Sequence, residues 1–68
     1  MQGTVKWFDM KKGYGFIQPS DGGSDAFVHI TAVQRAGLTG LDEGQVVEYE
    51  LQEGRNGKMS AEQIQVVG

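Results

Sequence analysis

Alternation at a period of two, broken every 10 to 15 residues by glycine-rich turns, governs how this chain can fold. Thr4 to Asp9 is a run of β-branched and aromatic residues and reads as a first strand. Tyr14 to Gln18 is a second, entered through Lys11-Lys12-Gly13 and stopped by Pro19, which has no N–H to give to a central ladder. Asp21-Gly22-Gly23 is a turn cluster, and Asp25 to Ile30 is a third strand, so the first three form a meander. Thr31 is the expected N-cap of one helical turn over Ala32 to Ala36, closed by Gly37 in the left-handed conformation. The connection from Gly37 to Gly44 is long enough to cross between sheet edges. Val46 to Leu51 puts Val47, Tyr49 and Leu51 on one face. A hairpin through Gly54-Arg55-Asn56-Gly57 then leads into Met59 to Val67, with Ile64 and Val66 on one face. Exposed strand edges invite aggregation, so five strands and one turn of helix predict an all-β, closed or nearly closed antiparallel barrel spanning residues 1–68 as one domain.

Composition narrows what such a barrel can be. Sixty-eight residues, 38% of them hydrophobic, bury only a modest core, worth a net stability of roughly 3–5 kcal/mol. There is no cysteine for a disulfide, and with one histidine and no thiols neither a metal staple nor any cofactor is expected. With no apolar run near 18 residues and no signal peptide, the chain reads as a cytoplasmic protein with no membrane partner. A net charge of −3 argues, taken alone, against nucleic acid. The charge is not spread evenly. Lys6, Lys11, Lys12 and Arg35 outnumber Asp9, Asp21 and Asp25 in the first 35 residues, whereas the remainder sets Arg55 and Lys58 against six acids. Five of the six aromatics lie in the first 27 residues, among the lysines.

Strand parity sorts these aromatics onto one surface. Tyr14 and Phe16 share a face opposite Gly15 and Ile17, and Phe27 and His29 share a face opposite Ala26, Val28 and Ile30. Ile17, Val28, Val47 and Ile64 can fill a narrow barrel without the rings. The opposite arrangement would put those aliphatics in water and bury the polar nitrogens of His29. Phe8 is out of parity with Val5 and Trp7, which requires a bulge or strong curvature in the first strand and puts Trp7 on the surface. Rings rimmed by Lys6, Lys12 and Arg55 or Lys58 suit single-stranded nucleic acid: each base stacks for roughly 1–3 kcal/mol, and the phosphates need only a few cations.

Lys12-Gly13-Tyr14-Gly15-Phe16-Ile17 and Asp25-Ala26-Phe27-Val28-His29-Ile30 resemble the two ribonucleoprotein motifs of the bacterial cold-shock protein family. Gly3-Thr4-Val5-Lys6-Trp7-Phe8 and Leu41-Asp42-Glu43-Gly44-Gln45 extend the similarity over essentially the whole chain. RNA-recognition motif domains carry a near match to the first motif alone, but they place the second upstream and need two helices. The resemblance implies an oligonucleotide-binding-type barrel that binds single-stranded RNA and DNA, favours pyrimidine-rich segments and acts as an RNA chaperone. Carried over by position, it assigns base stacking to Trp7, Tyr14, Phe16, Phe27 and His29, and polar or backbone contacts to Lys6, Lys12 and Asp25. Ile30 and Leu38 stand where many members have phenylalanine, which replaces two stacking platforms by aliphatic contacts. Asp9 stands where asparagine is usual and is expected to repel a nearby phosphate. The last hairpin lacks the proline often found after its glycine and is one residue longer, which leaves the reach of Arg55 open.

No catalytic constellation is legible. Gly13-Tyr14-Gly15 lacks the third glycine of a nucleotide-binding loop, and a lone histidine has no nucleophile beside it. The reading is therefore a binding protein that is not an enzyme: an ATP-independent chaperone that captures unpaired RNA and shifts hairpins open by mass action, with effects on antitermination and translation. The competing readings are a small β-barrel adaptor that docks peptide on the same aromatic patch, and a structural subunit with the patch buried against a partner. A monomer is expected, with a strand-exchanged dimer left open by the Gly37 to Gly44 connection.

Overall fold

The first strand, β1 (Gln2–Asp9), serves two neighbours at once. Its N-terminal end pairs with β4 (Val46–Glu53) through Gln2↔Glu48, Gly3↔Val47 and Thr4↔Val46, while its length pairs with β2 (Tyr14–Pro19). Gly3 permits this crowding. A Cβ there would lie 2.6 Å from the Gln18 carbonyl oxygen and 2.7 Å from Ile17 Cγ2. Between Val5 and Trp7 the register slips, with Val5 opposite Ile17 and Trp7 opposite Phe16, so Lys6 is the extra residue of a bulge. That slip accommodates the parity conflict legible in the sequence: Val5 is buried, Trp7 is exposed, and Phe8 is half-buried against the core.

The structure, a computed structural model, describes residues 1–53 and 59–67. In it β2 pairs with β3 (Ala26–His29), completing the expected meander, and α1 (Ile30–Arg35) follows at once. Two expectations are corrected here. Strand β3 is shorter than Asp25 to Ile30, because Ile30 already has helical geometry, and the N-cap is His29 rather than Thr31. The imidazole, with its backbone still extended, can reach forward to accept from the Thr31 N–H, so the strand's last residue also caps the helix. The helix end is as expected: Gly37 has φ +81°, its N–H donates to the Gln34 carbonyl at 3.0 Å, and Leu38 N–H donates to Val33 O at 3.1 Å.

Strand β5 (Met59–Val66) pairs antiparallel with β4 and parallel with β3 through Phe27↔Ser60, closing a barrel in the order β1-β2-β3-β5-β4. A second register slip, between Glu48 and Glu50, accompanies Gln63 at φ +52°. It lets Ala61 and Ile64, three residues apart, both face inward. Val66 lies opposite buried Val47, as its expected face with Ile64 requires, yet at the strand end it remains 36% exposed. The hairpin expected over Gly54-Arg55-Asn56-Gly57 lies outside the described residues. Among the described residues no helix is long and apolar enough to cross a membrane.

The core is built from small aliphatics, with Ile17, Val28, Val47 and Ile64 all buried as the alternation predicts. Its largest member is Tyr49, at 2% exposure. Burial, with a smaller contribution from the Asp21 carboxylate, holds the Tyr49 phenol above its ordinary pKa of 10.0.

Candidate nucleic-acid interface

Because small aliphatics and Tyr49 fill the barrel interior, Trp7, Tyr14, Phe16, Phe27 and His29 are left on the outer face of β1–β3. Register then brings them together. Phe16 lies opposite Phe27, Tyr14 opposite His29, and the β1 bulge sets Trp7 opposite Phe16. Trp7 is 5.6 Å from Tyr14 and 5.4 Å from Phe16, centroid to centroid; Phe27 is 5.6 Å from Tyr14, 5.8 Å from Phe16 and 6.3 Å from His29. Most of these pairs are edge-on and Tyr14–Phe27 is stacked, so the rings brace one another in favoured geometries without being buried. Trp7 is 38% exposed, His29 is exposed, and Tyr14, Phe16 and Phe27 are half-buried. Gly15 makes the sheet thin beneath them: a Cβ there would run into the Trp7 carbonyl and come within 2.7 Å of Phe8 Cα.

The polar residues at the edges have local partners that sequence reasoning missed. Lys6 Nζ donates to Asp25 Oδ2 at 3.0 Å, so two expected contact residues are paired with each other in the free chain. Asp9 Oδ1 accepts from Lys11 N–H at 2.8 Å and Lys12 N–H at 3.1 Å, while the Asp9 carbonyl accepts from Gly13 N–H at 2.8 Å. Asp9 thus organises the turn that carries exposed Lys12, an Asx-type role that asparagine would also fill. Gly13, at φ +79°, completes this turn and accepts from Ile30 N–H at 2.9 Å. Ile30 is therefore half-buried beside the start of β2, and Leu38 packs against the core through the helix-ending motif. Both offer part of an aliphatic side chain. Met10, 57% exposed, also escaped sequence reasoning; it lies so close over Gly40 that a Cβ there would be 2.5 Å from its sulfur. Arg55 and Lys58 lie outside the described residues.

A contiguous face of exposed and half-buried rings on the first three strands of a closed five-stranded barrel is the geometry that comparison with known proteins explains. The 'Cold-shock' DNA-binding domain family model matches residues 1–67. The chain belongs to the cold-shock protein family. It is 61% identical to a probable cold shock protein of Sinorhizobium fredii over 64 residues, covering 93% of each chain. It is 57% identical to a cold shock-like protein of Thermotoga maritima, covering 90% of this chain and 91% of the relative. With the cold shock protein CspA of Rhizobium meliloti it shares 54% identity over 91% of both chains. The barrel is accordingly the oligonucleotide-binding-type fold of the cold-shock domain, and the protein is a nucleic-acid-binding member of a non-enzymatic family.

Proposed function

We propose that this cold-shock protein is an ATP-independent RNA chaperone that holds RNA and DNA single strands by stacking bases on Trp7, Tyr14, Phe16, Phe27 and His29. The observation that supports this reading most directly is the row of mutually packed rings that the core does not need and that remains open to solvent. Every base has a π-face, so such a surface binds unpaired strands whatever their sequence; the preference for pyrimidine-rich segments follows the family resemblance. Lys6, Lys12, Asp25 and Arg55 supply polar contacts, and Ile30 and Leu38 add aliphatic ones. Binding open strands and not the paired form, the protein shifts RNA hairpins toward the unpaired state by mass action. It works as a cytoplasmic monomer, and its influence on antitermination and translation follows from keeping RNA open.

The test is titration of a heptathymidine oligonucleotide against wild type, Phe16→Ala and Phe27→Ala, with folding checked by circular dichroism. Each loss of a ring is expected to weaken binding about fivefold or more, from a stacking contribution of roughly 1–3 kcal/mol. Unchanged affinity in folded variants would sink the stacking reading. Trp7 fluorescence separates this from peptide docking, because oligonucleotide is expected to quench it and proline-rich peptide is not.

A further inference from the structure

His29 belongs to three structures at once: it ends β3, stands in the aromatic row beside Phe27, and caps α1. Its Nδ1 meets two groups of a single residue, Thr31 N at 3.2 Å and Thr31 Oγ1 at 3.0 Å. A backbone N–H can only donate. Nδ1 must therefore be the acceptor, and a neutral imidazole then carries its proton on Nε2. A half-turn of the ring would replace Nδ1 by a C–H and leave the Thr31 N–H and hydroxyl facing carbon.

We infer that Thr31 is a positioning residue whose backbone N–H fixes the tautomer of His29 and whose hydroxyl steadies its rotation, so that the aromatic face offers a bound strand an Nε2–H donor beside the stacking surface. The inference rests on the strand-binding reading above. An unheld imidazole presents either a lone pair or an N–H at its free edge, whereas the held ring presents only the N–H. Nε2 has no hydrogen-bond partner among the described residues, and the side chain is exposed. The matching ligand group is an oxygen acceptor on the strand, such as a pyrimidine keto oxygen or a sugar or phosphate oxygen. His29 therefore adds direction to a platform whose other contacts are largely ring faces, and Thr31 does so without touching the ligand itself.

Nitrogen-15 NMR of the imidazole in the free chain tests the first half directly, with the Nε2–H form expected and a predominant Nδ1–H form overturning the inference. Thr31→Val removes Oγ1 but keeps the backbone donor. With the tautomer still held by that N–H, it is expected to loosen the rotation of the ring, so that the Nε2–H form persists in the spectrum while affinity for heptathymidine falls about fivefold, the value of one net hydrogen bond. Thr31→Ser, which keeps the hydroxyl, is expected to retain the affinity. In a His29→Phe background, Thr31→Val is expected to change nothing further; an equal loss there would mean that Thr31 acts through the fold and would overturn the positioning role. Failure of the platform reading is distinguishable, since it shows as an unchanged affinity in Phe16→Ala while the imidazole spectrum of the free chain is unaffected.

Discussion

Tyr49 brings a hydroxyl into an otherwise apolar barrel, and among the described residues that oxygen has no hydrogen-bond partner. An orphaned buried hydroxyl costs desolvation without return, so Tyr49→Phe is expected to raise stability by about 1 kcal/mol in urea denaturation. The raised phenol pKa gives the pH dependence its sign. In the unfolded chain Tyr49 ionises near 10.0 and in the folded chain only at higher pH. The stability associated with the neutral phenol is therefore complete below pH 10 and is lost as pH rises through the folded pKa. Denaturation curves between pH 8 and 11 are expected to show a shallower alkaline decline in Tyr49→Phe than in wild type. Parity already placed Tyr49 on the inward face, but the loneliness of its hydroxyl depends on which atoms cross the barrel. The same holds at His29 and Asp9. Their side chains satisfy N–H groups two and three residues onward, and a choice between capping, stacking and repelling is settled by local backbone conformation that composition does not encode.

At the scale of elements, the two register slips differ in how far the sequence announced them. The bulge at Lys6 was legible because Val5, Trp7 and Phe8 cannot all obey one alternation. The slip near Gln63 left no such conflict: Ala61 is small enough to read as either face, and a glutamine at positive φ carries no signal in its identity. One pairing across that ladder carries a cost. Glu50 lies directly opposite Glu62, whose contact with Arg35 is a 3.7 Å ion pair with the arginine largely in solvent and so contributes little. Glu50→Lys would replace like charges by an opposed pair and is expected to stabilise the barrel by about 0.5 kcal/mol, with the gain shrinking as salt is added. Thermal melts at low and high ionic strength check both parts. An unchanged melting temperature at low salt would mean that the two carboxylates already avoid each other in solution.

For the whole molecule, the net charge of −3 coexists with a nucleic-acid-binding fold because acid and aromatic faces are separated. The outer faces of β4 and β5 carry Glu48, Glu50 and Glu62, away from the rings of β1–β3. Of the six cations in the chain, Lys6 and Arg35 are already within ion-pair distance of carboxylates. Roughly three phosphate contacts imply a slope of log affinity against log salt of only about −2 on a single strand. Titrations at several salt concentrations check this, and a slope steeper than about −5 would mean that cations, not rings, dominate. On the stacking reading, weak electrostatics is expected to leave little hold on duplex, which offers charge but no open base faces.

The order in which the barrel closes has a consequence for synthesis on the ribosome. Every ring of the aromatic face, from Trp7 to His29, is translated before the first residue of β4, yet β1 is flanked on one side by Val46 to Glu48 and β3 on one side by Ser60. A nascent chain thus carries both of its ring-bearing segments in full while the sheet that supports them is still missing two strands. A product truncated before β5 therefore carries every one of these rings but lacks the strand that closes the barrel between β3 and β4.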